Sequence, residues 1–249
     1  MLTEERHAFI LRMLKQDGIV KSQDLMKRIG CSESTIRRDL GQLENEGKLK
    51  RIHGGANRTY QLDEELTASE KSFKNIQEKE SIGKLAASLI EVNDVIFMDA
   101  GTTTLALTPY LKDKNITVVT NGIQHASALA EQQVQVYLIG GMIKHSTKAI
   151  IGSDSLNTLH NYRFNKAFLG MNGIDASFGC TTPDPEEAAL KKMAHQQAAA
   201  TFVLADHSKW DKVSFAKVFD MEEISIVTDY IESNMQHYKE ETTILEVKQ

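Results

Sequence analysis

Apolar side chains recur at helical spacing through the first 57 residues and then give way to short solid runs. Ile10, Met13 and Leu14 share one face of a helix expected over residues 3–16, which Asp17-Gly18 stops. Ile19-Val20 is long enough for one short strand. Leu25, Met26 and Ile29 form the inward face of a second helix that begins at Ser22, a capping residue, and ends at Gly30. Ile36, Leu40 and Leu43 make the same stripe in a third helix that starts from Ser32. After Gly47, Leu49 and Ile52 interleave with basic residues as far as Gly54-Gly55, the pattern of a β-wing.

Residues 58–75 are polar and carry both charge signs, the composition of a linker. Beyond them Ile82, Leu85, Ala86 and Leu89 mark another helix. Apolar runs then alternate with helical segments: "VIFM" at 95, "ITVV" at 116, "VQVYLI" at 134, "KAFLG" at 166, "TFVLA" at 201 and "ISIVT" at 224. That alternation predicts a layered α/β body with a largely parallel sheet. The expected domains are therefore a winged helix-turn-helix over 1–57, a linker over 58–75 and an α/β body over 76–249.

Charge divides along the same boundary. The chain has 249 residues and a net charge of −5, which argues against a general nucleic-acid coat. Residues 1–57 hold 11 Lys and Arg against 8 Asp and Glu, leaving 18 against 26 for the rest, so a basic head precedes an acidic body. Cys31 and Cys180 stand apart without His at ligand spacing, and no cofactor or metal is expected. The start has no basic-then-apolar leader, and no apolar run approaches the roughly 20 residues of a membrane span. A cytoplasmic protein with no membrane partner is expected.

The two helices flanking Gly30-Cys31-Ser32 have the helix-turn-helix layout, in which the early turns of the second helix enter the major groove of double-stranded DNA. Its exposed positions there are Ser34, Thr35, Arg37 and Arg38, hydroxyls and guanidinium forks suited to phosphates and base edges. Arg37 and Arg38 point about 100° apart, so one is free to read a base while the other grips a phosphate. Lys48, Lys50, Arg51 and His53 on the wing are candidate phosphate contacts. A single head would bury little DNA surface, so at least a dimer is expected. The stretch "SESTIRRDLGQLENEGKLKRIHGGA", residues 32–56, strongly resembles the signature of DeoR-family transcriptional regulators, and the resemblance runs through nearly the whole chain. "DAGTTT", "VVTNG", "AIIG", "YRF" and "TTPDPEEA" resemble most the repressors of fructose-utilisation operons. What this resemblance implies is a sugar-phosphate isomerase-like body that senses a phosphorylated sugar such as fructose 1-phosphate.

Ligands of open α/β sheets lie beyond the carboxyl ends of strands. Here those ends carry Asp99, Gly101, Thr102 and Thr103, then Thr120-Asn121-Gly122, Gly140-Gly141, Gly170 to Gly173, and Asp206 to Lys209. "DAGTTT" offers a close backbone approach at Gly101 and hydroxyls beside open helix amides, a phosphate cradle. Thr102 and Thr103 are expected to hold the phosphate, with Asp99, Asn121, Asn172 and Glu187 on sugar hydroxyls, Lys191 and Lys209 supplying charge, and Gly140 lining the site. Trp210 follows Lys209 and is expected to sense the ligand. Spacing alone gives Glu187 another reading, as N3 of a capping box with Asp184 or as an ion pair with Lys191 four residues on. The resemblance assigns it to the pocket instead. An aldose-ketose isomerase with an accessory DNA-binding head is the alternative function. It needs a carboxylate base, and "GMNGID" has Asn172 where such enzymes carry an aspartate, leaving Glu187 and Asp175 as candidates. His125, His160 and His195 fall on predicted helices without an Asp or Ser partner.

Overall fold

The three amphipathic stretches at the start of the chain are helices that bury the predicted stripes. In the computed structural model, which describes residues 1–59 and 66–248, these are α1 (Thr3–Asp17), α2 (Ser22–Ile29) and α3 (Glu33–Asn45), with β1 (Ile19–Lys21) between the first two. Ile10, Leu14, Leu25, Ile36 and Leu43 are each at most 1% exposed, and burying each such side chain contributes roughly 1.5–3 kcal/mol. Gly30 stops α2 in the left-handed region at φ 73°, where glycine has no steric penalty. The Ser32 side chain accepts from the Thr35 amide and caps α3, worth about 1 kcal/mol. The wing is the hairpin β2 (Leu49–Ile52) and β3 (Gly55–Arg58), and β1 pairs antiparallel with β3 to complete a three-stranded sheet. A side chain at Gly55 would run into the Val20 carbonyl, so this crossing requires glycine. Ile52, expected to alternate inward, is 40% exposed; only Leu49 anchors the strand.

The chain divides into the units Met1–Gln61 and Leu62–Gln249. The boundary differs from the expected one. Arg58 still belongs to the wing, and residues 60–65 lie outside the described residues. Leu66 to Asn75, expected to be linker, is part of the second unit and contains α4 (Ala68–Ser72).

In the second unit α5 (Ile76–Ser88) leads into β4 (Val95–Met98), α6 (Thr102–Leu105), β5 (Thr117–Thr120), α7 (Ile123–Glu131) and β6 (Gln135–Leu138). A hairpin of β7 (Met142–Lys144) and β8 (Ala149–Ile151) follows, then α8 (Ser153–His160) and β9 (Phe164–Gly170). Next come β10 (Gly173–Asp175), β11 (Gly179–Thr182), α9 (Pro185–Gln197), β12 (Ala198–Leu204), β13 (Ala216–Phe219), β14 (Ser225–Thr228) and β15 (Thr243–Glu246). One seven-stranded sheet, β15-β14-β12-β9-β4-β5-β6, is parallel throughout and contains all six predicted runs.

Alternate residues of each central strand enter opposite cores. Ile96, Met98, Val118 and Phe168 pack with Ile82 and Ala86 of α5 and Leu129 of α7. Phe97, Val119, Leu169 and Val203 pack with Leu159 of α8 and Ala188 and Ala194 of α9. Burial on both faces is why these strands read as solid apolar runs. The strand order reverses between β4 and β9, so the carboxyl ends of these two neighbours part to leave a crevice.

Candidate functional site

On the first unit the N-terminal turns of α3 stand in solvent. Ser34, Arg37 and Arg38 are exposed and Thr35 is half-buried, while the opposite face of the helix is packed. The Ser34 and Thr35 hydroxyls each lie 2.9 Å from Ser32 Oγ, so these two spend their polar atoms on the cap. Arg37 and Arg38 make no ion pair among the described residues. Lys50, Arg51 and His53 are exposed along the wing; Lys48 is exposed too, with Nζ 2.7 Å from Glu46. Asp39, the next residue on α3, is buried. Arg6 of α1 grips it with Nε at 2.8 Å and Nη2 at 2.9 Å. Burial pushes the Asp39 carboxyl up, but the guanidinium outweighs it and holds the group below the usual carboxylate range. That clamp fixes the angle of α3 against α1.

The second unit has a cavity of about 90 Å³ at the crevice, several times the roughly 10–15 Å³ that a single water needs. The ends of β12, β9, β4 and β5 form it, four adjacent strands. Asp99, Gly101, Thr102, Thr103, Asn121, Asn172, Glu187, Lys191 and Lys209 all line it. Gly140 does not. It is exposed at the end of β6, one strand beyond the cleft, and its carbonyl accepts from Ser155 Oγ at 2.7 Å. Trp210 is likewise outside the lining, buried against Tyr238 with ring centroids 4.8 Å apart. Asp175 is fully buried and accepts from the amides of Ser177 and Phe178, which makes it a turn brace rather than a base in the pocket.

Asp99 is the hub. Its Oδ1 accepts from the Gly101 amide at 3.1 Å and the Thr104 hydroxyl at 2.9 Å; its Oδ2 accepts from the Gly170 amide at 2.9 Å and from Lys191 Nζ. The carboxylate expected to meet a sugar therefore meets the protein on both oxygens and ties β4 to β9 and α9. His125 stands behind, with Nε2 3.1 Å from Thr104 Oγ1, and burial above all pushes its pKa down to about 4, keeping it neutral. Thr102 and Thr103 are different. Their hydroxyls have no partner among the described residues, and their amides open α6, where the helix supplies no carbonyl, whereas the Leu105 amide bonds the Gly101 carbonyl at 2.9 Å. Lys191 is paired with Asp99, not Glu187, and Glu187 accepts from Thr147 Oγ1 at 2.7 Å and lies 3.2 Å from Lys144 Nζ. Asp184 alone caps α9. Both local readings of Glu187 give way to a wall position.

Two buried acceptors in the lining have no donor. Asn121 gives Nδ2 to the Ile150 carbonyl at 3.1 Å and leaves Oδ1 unmatched; Asp206 takes Asn75 Nδ2 at 2.9 Å and Ser208 on Oδ1 and leaves Oδ2 unmatched. Hydroxyl groups of a ligand would satisfy both. Burial raises the Asp206 carboxyl, and the Lys209 charge with the Ser208 and Asn75 bonds more than reverses that. Asp206 was legible only as part of a strand end. Lys71, Lys74 and Lys79 were not legible at all, since they sit on the presumed linker and an amphipathic helix. Lys79 is 6% exposed, donates to the Lys71 carbonyl and makes no ion pair among the described residues; burial lowers its pKa. Among the described residues, five lysines, Lys71, Lys74, Lys79, Lys191 and Lys209, and three carboxylates, Asp99, Glu187 and Asp206, line the cavity.

Comparison with known proteins agrees with this division. A DeoR-like helix-turn-helix domain matches residues 6–61 and the DeoR C terminal sensor domain matches residues 74–230. The chain is 46% identical, over the full length of both, to a protein of Bacillus subtilis (strain 168) described as an uncharacterized HTH-type transcriptional regulator FruR. It is 35% identical to the HTH-type transcriptional regulator GlpR of Haloferax volcanii, over 92% of this chain and 91% of that one. It is 34% identical to the lactose phosphotransferase system repressor of Staphylococcus aureus, over 92% and 93%. A solved D-ribose-5-phosphate isomerase superposes on 54% of each chain at 18% identity and a TM-score of 0.41, too distant to bear on chemistry. The relatives matched along the whole length are regulators, and this protein is not an enzyme. With both matched domains and full-length relatives of this kind, the chain belongs to the DeoR family of DNA-binding transcriptional regulators.

Proposed function

We propose that the protein is a repressor of a sugar-utilisation operon whose grip on operator DNA is set by a phosphorylated sugar, fructose 1-phosphate first among the candidates. The observation that carries this reading is the cradle at α6. The Thr102 and Thr103 hydroxyls, at the opening turn of α6, face a cavity lined by lysines, and orphaned acceptors at Asn121 and Asp206 suit sugar hydroxyls. A relative named as a lactose phosphotransferase system repressor supports a sugar ligand. On this reading Arg37, Arg38, Lys50, Arg51 and His53 hold the DNA, and an oligomer, at least a dimer, places two heads on paired half-sites. The test is fluorescence anisotropy of labelled DNA from the gene's own promoter region, titrated with fructose 1-phosphate, fructose 6-phosphate, glucose 6-phosphate and fructose. Release by a sugar phosphate and not by fructose is expected. Because linkage is reciprocal, operator must weaken binding of that sugar phosphate by the same factor, about 1–3 kcal/mol for a typical coupled pair. DNA binding indifferent to every phosphate would overturn the reading.

A further inference from the structure

The stretch that leads out of the DNA-binding unit forms part of the pocket. That unit ends at Gln61, and Leu66, Ala68, Lys71, Lys74 and Asn75 already line the cavity. Three contacts fasten the stretch, each to an element of the cavity wall. Near its start the Ala68 amide donates to the Ser146 carbonyl at 2.8 Å, and Thr147, the residue after Ser146, lines the cavity and donates to Glu187. Further on, α4 packs on α6, whose first turn is the cradle. At its end Asn75 Nδ2 donates to Asp206 Oδ1 at 2.9 Å, with Ser208 Oγ at 3.4 Å. This last contact is the one a ligand reaches. Asp206 is 1% exposed; its Oδ1 holds Asn75 and Ser208, while Oδ2 has no partner among the described residues. A carboxylate turns broadly about its last torsion, so a donor arriving on one oxygen fixes the direction of the other.

We propose that Asn75 is the positioning residue that couples the pocket to the DNA-binding unit. A sugar hydroxyl donating to Asp206 Oδ2 fixes the carboxylate, the fixed Oδ1 holds Asn75, and the stretch from Leu66 is drawn against the filled pocket. With the pocket empty that hold is weaker, and the chain next to the DNA-binding unit is freer to take the arrangement that operator requires. The filled and empty states then differ in their affinity for DNA, as a coupled pair of sites demands. This inference rests on the proposed reading of the pocket as a phosphorylated-sugar site that governs DNA binding, and adds the contact that transmits it. The same geometry sets which molecules act. In the sheet β9 lies between β4 and β12, so the cradle and Asp206 stand two strand spacings, roughly 10 Å, apart. A hexose phosphate bridges that span with a hydrogen bond at each end; a bare phosphate does not.

Calorimetric titration of the full chain with fructose 1-phosphate, fructose 6-phosphate and glucose 6-phosphate, with and without DNA from the gene's own promoter region, tests it. In wild type the DNA should weaken binding of at least one of them about 5- to 150-fold, as between coupled sites. Asn75 enters α5 at φ 51°, and Asn75→Gly and Asn75→Asp both accept that left-handed backbone while removing the donor to Asp206. Each variant should still bind the sugar phosphate and, separately, the DNA, but its titrations with and without DNA should coincide. A merely structural role for Asn75 would lower the melt and leave the factor in place. Inorganic phosphate should leave the DNA bound to wild type. Variants that keep the wild-type factor, or DNA released by inorganic phosphate alone, would overturn the role of Asn75 while the pocket's function stands. A wild type in which DNA weakens none of the three sugar phosphates overturns that function and this inference with it.

Discussion

Of the three successive threonines at the cradle, only Thr104 spends its hydroxyl inside the protein, among Asp99, Gly101 and His125. Replacing Thr103 by Val should therefore leave the melt unchanged while weakening a phosphorylated sugar by roughly 1.5–3 kcal/mol, the range for a hydrogen bond to a charged group. Calorimetric titration reads it, and equal affinity in both proteins would make "DAGTTT" a plain turn. On the DNA side, Arg37→Ala and Arg38→Ala should each leave the fold intact. The base-reading one should cost about 1–3 kcal/mol and relax a single operator position, and the other should weaken all sequences alike; binding to a panel of operator variants separates them. Residue types and spacing made Thr103, Arg37 and Arg38 legible. They could not show that Asp99 faces the protein, because its partners Gly170 and Lys191 are distant in sequence and arrive only when β9 and α9 pack beside β4.

Elements buried on both faces announced themselves as apolar runs, and all of them are strands of one sheet. The hairpin β7–β8 and the small sheet of β10, β11 and β13 were silent, being short and interrupted by glycine and polar residues, as was β15 with its half-buried "TILE". The largest misreading was the segment before α5. Its mixed charges read as a solvated linker, yet Leu66 to Asn75 spans one side of the cavity, bound at Ala68 to the Ser146 carbonyl at 2.8 Å and at Asn75 to Asp206. Asn75 holds a left-handed backbone at φ 51° as it enters α5. Asn75→Ala should lose about 1–2 kcal/mol of stability from that conformation alone, with Asn75→Gly milder in a thermal melt. Indifference of the melt to both would show that this segment does not hold the wall.

Taken whole, the protein sets an exposed basic face in one unit against a buried, mostly internally bonded pocket in the other. Those two environments answer differently to dissolved salt. On the proposed function, exposed Arg37, Arg38, Lys50 and Arg51 would displace counterions from DNA. Two such heads would make on the order of 6–10 phosphate contacts, costing roughly 10³–10⁵ in affinity between about 50 and 200 mM salt. Lys79 and the Lys191–Asp99 pair are at most 9% exposed, and buried charge is screened far less. Sugar titrations at the two salts should therefore nearly coincide while operator titrations separate by orders of magnitude, and matching shifts in both would contradict the burial seen here. On the proposed function the consequence is osmotic: a cell that concentrates its ions on losing water would loosen the protein from its operator with no change in sugar, so the same chain would report nutrient and water stress through one release of DNA.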